Sequence, residues 1–163
     1  MVCDSPGARV YRRIMTNPST DEAIARILAE NEIRNLIGRI AHLADDGELD
    51  PDYISLFTED ASWGAVDTEI RHNGREEILA AARERRAAGR QGQGTGLLHM
   101  NTSLTVRVDG PDEAHAESYF IVTKRDADGQ GAVIAGSGRY LDTFRRTGEG
   151  WKFADRTVVL KVT

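Results

Sequence analysis

The chain is short of several things at once, and each shortage removes a class of protein. Its 163 residues include one cysteine, Cys3. A lone thiol closes no intrachain disulfide, so a reducing, cytoplasmic setting is expected, and its place near the first residue argues against a catalytic thiol. No run of about 18 apolar residues exists, so no membrane-spanning helix is expected. Residues 1–19 have no apolar stretch of the secretory type and carry Pro6, Gly7 and Pro18 as breakers, which predicts a mobile N-terminal arm ahead of a single domain at 20–163. Basic charge is not in excess: 21 Lys and Arg stand against 26 Asp and Glu, a net charge of −5. Such a chain repels phosphate backbones, and nucleic acid is not an expected partner. The dense basic run of Arg83, Arg85, Arg86 and Arg90, broken by Glu84, reads as a solvated helix face.

Recognisable catalytic motifs are equally scarce. None of His42, His72, His99 and His115 stands at zinc-site spacing from another ligand, so no metal is expected. Gly92, Gly94 and Gly96 precede a strand pattern rather than a helix, so a flexible loop at 90–96 explains them and a dinucleotide does not. No G-x-S-x-G elbow occurs. No cofactor is implied.

What is present is patterning. Ile33, Leu36, Ile37, Ile40, Leu43 and Ala44 recur at helical spacing, preceded by Ile24, Ile27 and Leu28. Thr20 or Asp21 is placed to cap this helix and Gly47 to end it in a left-handed conformation. Asp50-Pro51 predicts a short second helix with Tyr53, Leu56 and Phe57 on its apolar side. Short strands are predicted at 61–66 and 69–72, and a third helix at about 75–88. Beyond the loop the period changes from 3.6 to 2. Leu98, Met100, Leu104, Val106 and Val108 alternate with His99, Asn101, Ser103, Thr105 and Arg107, as in a half-buried strand. Further strands are predicted at 113–125, 132–146 and from Trp151 to about Val162, with Gly136 and Gly138 marking a bend or bulge. Helices first and a meander of long strands after them predict an α+β fold, helices packed on one face of a curved antiparallel sheet.

Four groups stand out against this pattern. His99 and Asn101 lie on the polar side of their strand: a solvated sheet face if that side is open, a general-base site if it lines a concave pocket. Asp45 and Asp46 end the first helix, against the negative end of its dipole; they are either turn residues or used elsewhere, and periodicity does not choose between them. Arg156 shares parity with Val158 and Leu160, so it requires a carboxylate, a carbonyl, a ligand, or an edge from which to reach water. Trp63 reads as core or as pocket wall.

These features together carry a resemblance. Glu32-Ile33-Arg34-Asn35-Leu36 through Asp45, Phe57-Thr58-Glu59-Asp60-Ala61-Ser62-Trp63, Gly74-Arg75-Glu76-Glu77-Ile78, Leu98-His99-Met100-Asn101-Thr102, and Gly138-Arg139-Tyr140 with Gly150 to Arg156 resemble the SnoaL-like group of the nuclear transport factor two-like superfamily. The likeness spans about residues 21–160 and is strongest to the subgroup of scytalone dehydratase and hexachlorocyclohexane dehydrochlorinase. It implies a cone-shaped fold in which the sheet and three helices enclose a pocket. It also implies a cofactor-independent lyase, dehydratase-like, acting on a small hydrophobic cyclic molecule, in a dimer or trimer. In that subgroup a strand histidine removes a proton from carbon while an aspartate at the end of the first helix holds the imidazole. By motif these are His99 and Asp45, with Arg156 or Asn101 steadying charge on oxygen and Trp63, Leu36, Ile40 and Phe57 lining the pocket. The dehydrochlorinase has a lysine where this chain has Ile40, so loss of water is expected rather than loss of halide. The paired tyrosines and second pocket histidine of scytalone dehydratase have no evident counterpart. The same fold also implies rivals: an isomerase or cyclase using the same base, a non-catalytic ligand-binding module, or a small subunit of a ring-hydroxylating dioxygenase.

Overall fold

The computed structural model describes residues 18–66 and 68–160, so most of the arm expected at 1–19 lies outside the described residues. Helix α1 spans Thr20–Asp45. Its cap is Ser19, one position earlier than expected: the Ser19 hydroxyl accepts from the Glu22 N–H and the Glu22 carboxylate accepts from the Ser19 N–H, a reciprocal box that needs the acid three residues on. Ala29, Ile33, Ile37 and Ile40 form its buried face. Ile24, Ile27 and Leu28 do not extend that face and stay exposed at 50%, 65% and 63%. An open groove separates this end of α1 from the turn at Val108–Asp112. Gly47 follows the helix without the expected left-handed conformation. Glycine is required there because a Cβ would come within 2.7 Å of the Leu43 backbone Cα.

The second helix expected at Asp50-Pro51 is a single π turn, Leu49–Tyr53, in which Asp50 is extended. Phe57 is not on that turn; it begins strand β1, Phe57–Ala65. Strand β2, Arg71–Asn73, leads into helix α2, Gly74–Ala87. Four long strands complete the chain: β3 Leu97–Val108, β4 Glu113–Arg125, β5 Ala132–Thr147 and β6 Gly150–Val159. They form one six-stranded sheet in the order β2-β1-β6-β5-β4-β3. Every pairing is antiparallel except β1 with β6, which is parallel. The sheet is curved and unclosed, and α1, α2 and the π turn pack on its inner face around Ile33, Ile37, Phe57, Ala61, Phe144 and Phe153. The bend expected near Gly136 is an extra residue in β5: Val122 pairs with Gly136 but Thr123 with Ile134.

One irregularity decides which side chains of β3 face inward. Thr102 pairs with Tyr119 and Thr105 with Glu117, so β3 has one more residue than β4 across this interval. Ser103 sits at the bulge with φ of 48°. An extra residue exchanges the two faces of a strand. Beyond the bulge Leu104, Val106 and Val108 pack on the core, as their alternation predicts. Before it the faces are reversed: Leu98 and Met100 point outward, 58% and 43% exposed, while His99 and Asn101 turn inward. The alternation that places His99 on the opposite side from the core residues is correct in sequence and is undone by this one residue in space.

Candidate functional site

The inward turn of His99 and Asn101 opens onto a cavity of about 130 Å³ between the C-terminal half of α1, the end of α2 and the sheet. Its apolar wall comes from Ile40, Ala41 and Ala44 of α1 and from Trp63 of β1. Its polar groups are His99, Asn101, Tyr53, Tyr140, Arg156, and three residues from the end of α2 and the loop after it: Arg85, Arg90 and Gln91.

Asp45, the last residue of α1, meets His99 with both carboxylate oxygens. Oδ2 accepts the His99 backbone N–H at 2.8 Å and Oδ1 lies 2.5 Å from ring Nδ1. A carboxylate at Nδ1 fixes the tautomer with the proton there, which leaves Nε2 as an acceptor. The two side chains are only 19% and 11% exposed. Asp46, its neighbour, is exposed and takes no part in this contact. Asp45 would be unfavourable at a helix C-terminus; the two bonds to His99 offset that cost. Asn101 donates to the Ile37 carbonyl at 3.0 Å, and its Oδ1 is buried with no partner among the described residues.

Arg156 answers the question its parity posed. Its cross-strand partner is Asp142, and the two form a bidentate pair, both bonds 2.8 Å, with side chains 6% and 1% exposed. Burial pushes the Asp142 carboxyl pKa up while the guanidinium opposes the rise. For Arg156 burial acts to lower the value, but the Asp142 carboxylate outweighs it and holds the guanidinium charged. The guanidinium also stacks over Tyr140 and Phe153, 4.2 and 4.6 Å from their centroids. Its charge is therefore already balanced, and it faces the cavity as a hydrogen-bond donor more than as a free cation. Burial raises the Tyr140 phenol to about 12, so it is a neutral hydroxyl at physiological pH.

Two expected wall residues are elsewhere. Phe57 is fully buried, one layer behind the cavity, packed between Tyr53 and Phe153 with centroids 5.4 and 5.5 Å away. It belongs to β1 rather than to the preceding turn, and so supports Tyr53 without reaching the ligand space. Leu36, a helical turn before Ile40, lines a separate cleft with Glu32, Arg39 and Trp151. Tyr53 and Tyr140 both line the cavity. Two further expectations change. The arginine run is only partly a solvated face. Arg83 is exposed and pairs with Asp50, and Arg90 pairs with Glu84. Arg86, however, donates to the carbonyls of Leu43 and Gly47 and closes the end of α1, while Arg85 turns into the cavity over the Trp63 ring. The loop at 90–96 is likewise not simply open, since Gln91 and Gly92 are buried.

Signals for the missed residues were present. Arg85 lies at helical spacing from the buried Ile78, Ala81 and Ala82. Asp142 alternates with Tyr140 and Phe144 on an inward strand face, as anomalous there as Arg156 is on its own strand. Tyr53, the last residue of the π turn, has no signal beyond its place on that segment's apolar side. Among the described residues no three His, Cys, Asp or Glu side chains converge as metal ligands, and no helix is long and apolar enough to cross a membrane.

A curved unclosed sheet with helices on its inner face is the cystatin-like, NTF2-like α+β fold. Residues 25–157 match the model of the SnoaL-like domain family, and the chain belongs to that family. No curated protein matches the sequence significantly. Among solved structures, an NTF2-like protein with a cystatin-like fold from Novosphingobium aromaticivorans is 28% identical, with a TM-score of 0.71, over 88% of this chain and 91% of that one. A protein of the same organism provisionally named an aromatic ring hydroxylase is 26% identical, with a TM-score of 0.67, over 84% and 92%. Another, provisionally named a scytalone dehydratase, shares the fold at 17% identity and a TM-score of 0.64 over 86% and 89%.

Proposed function

We propose that this protein is a dehydratase-like lyase that removes a proton from carbon in a small, one-ring substrate, with His99 as base and Asp45 as its orienting partner. The observation that carries the reading is the double contact from Asp45 to His99 beside a small cavity with an apolar wall from α1 and Trp63 and a polar remainder. A fixed Nδ1–H tautomer leaves Nε2 as the proton acceptor, and the carboxylate stabilises the imidazolium that forms. The volume supports a single ring: a cavity of roughly 150 Å³ takes one benzene molecule.

On a β-hydroxy ring ketone the step balances without any added group. His99 Nε2 takes the proton next to the carbonyl, and the C–H electron pair forms the enolate. The enolate collapses to a conjugated double bond as the C–O bond breaks, and the imidazolium returns its proton to the departing hydroxide. The products are an enone and water, and His99 is regenerated. An isomerase would share the first half and return the proton to another carbon. A second copy of the chain belongs to the same reading, because the outer sheet face exposes Leu98, Met100, Tyr119 and Ile134.

The test is a set of one-ring β-hydroxy ketones, with enone absorbance as the readout. Wild-type protein is expected to raise the rate, and His99→Ala and Asp45→Asn each to remove most of that acceleration. Turnover that survives both changes would overturn the assignment.

A further inference from the structure

We infer that Arg85, oriented by Gln91 over the Trp63 ring, is the group that receives an anionic or enolate oxygen of the one-ring ligand. The assignment rests on the cavity and on the proposed base for the timing of the charge, but its binding role can be measured without any proton transfer.

Three observations converge. Arg85 Nε donates to Gln91 Oε1 at 2.9 Å, and its guanidinium carbon sits 4.7 Å from the centre of the Trp63 ring. Both contacts fix the plane of the fork and leave its Nη groups without a hydrogen-bond partner among the described residues, and a guanidinium held flat on an aromatic face presents its N–H edge to an oxygen. Second, Arg85 pairs with no carboxylate among the described residues, whereas the other cavity arginines do: Arg156 with Asp142 and Arg90 with Glu84. Arg85 is thus the cavity arginine left without a carboxylate partner among the described residues, and a ligand oxygen that gains negative charge would pair with it. Third, Gln91 is 6% exposed, and its Nε2 is buried with no partner among the described residues. A buried amide N–H₂ left without an acceptor is costly, and a ligand oxygen in the cavity that Gln91 lines would satisfy it. Arg85 and Gln91 together offer donors of the kind that stabilise an enolate or phenolate oxygen. This moves the charge-stabilising role from Arg156, whose partner already neutralises it, to a residue on α2.

The probe is 4-nitrophenol, a one-ring compound whose oxygen sits on an unsaturated ring carbon as in an enolate and whose ionised form absorbs visible light. Full-length protein is titrated at a pH where the free compound is mostly neutral. The expected result is binding in the ionised form, seen as growth of the visible band. Arg85→Gln should weaken binding roughly ten- to a hundredfold and remove the band. Gln91→Glu should do the same by supplying Arg85 with an internal carboxylate, and decides the matter if Arg85→Gln fails to fold. Arg83→Gln, which changes an exposed arginine outside the cavity, should leave the band intact. Absence of binding by the wild type, binding in the neutral form, or an unchanged band in Arg85→Gln or Gln91→Glu would each overturn the inference. Failure of enone formation with the band intact would instead count against the base reading alone.

Discussion

Asp45 grips His99 twice, through the backbone N–H at 2.8 Å and through ring Nδ1 at 2.5 Å. The first bond ties the end of α1 to the start of β3. The second sets the imidazole. One carboxylate therefore serves both the fold and the site, and substitutions at Asp45 should separate the two roles.

Asp45→Asn keeps the size of the side chain and one oxygen, but it can no longer accept at both contacts as a carboxylate. The expected outcome is a protein that stays folded and loses about two to four orders of magnitude in rate. Asp45→Ala should also lower stability by about 1–3 kcal/mol, since the His99 N–H is then left without an acceptor. Paired rate measurements and urea unfolding on both variants check this.

The bulge at Ser103 should be separable from the chemistry of the serine itself. Ser103 has φ of 48°, a conformation that costs a side chain and favours glycine. Ser103→Gly should be neutral or slightly stabilising and fully active. Ser103→Val, branched at Cβ, should destabilise by about 1–3 kcal/mol. Deleting Ser103 should abolish activity, because the strand before the deletion would then point Leu98 and Met100 inward in place of His99 and Asn101. Thermal melts and activity on the three variants test the relation.

That bulge also explains how far the fold and the site could be read from sequence. Helical spacing was enough to place Ile33, Ile37 and Ile40 on the core, and the capping box at Ser19 and Glu22 is visible to a reader who looks for the acid three residues on. Strand alternation was enough to find β3 but put Leu98 and Met100 on the wrong side, since nothing local in Thr102-Ser103-Leu104 announces an extra residue. The contact between Asp45 and His99 spans 54 positions; resemblance pointed to it, periodicity did not. Arg85 and Asp142 are charged residues at positions that share spacing or parity with buried neighbours, so equating charge with exposure does not find them.

The Arg156–Asp142 pair should show the asymmetry of buried ions. Asp142→Ala strands a guanidinium that is 6% exposed and should cost about 3–5 kcal/mol. Replacing both residues with apolar ones of similar volume should cost far less. A double-mutant cycle by urea denaturation measures the difference.

Tyr140 sets an alkaline limit. Burial lifts its phenol to about 12, above the ordinary value near 10. Between those values the unfolded chain gives up a proton that the folded one keeps. The stability contributed by the buried neutral phenol is therefore present below about pH 10 and is lost as pH rises towards about 12. In Tyr140→Phe this loss should be smaller, and the last tyrosine ionisation in an ultraviolet titration of the folded protein should disappear.

Proton removal from carbon by His99 can be tested by deuterium exchange without knowledge of the leaving group. One-ring ketones incubated with the protein in heavy water should gain deuterium beside the carbonyl faster than in buffer, read by mass spectrometry. His99→Ala should slow that gain by about two to four orders of magnitude. Exchange no faster than buffer across a broad set of ring ketones, or exchange undiminished in His99→Ala, would contradict it.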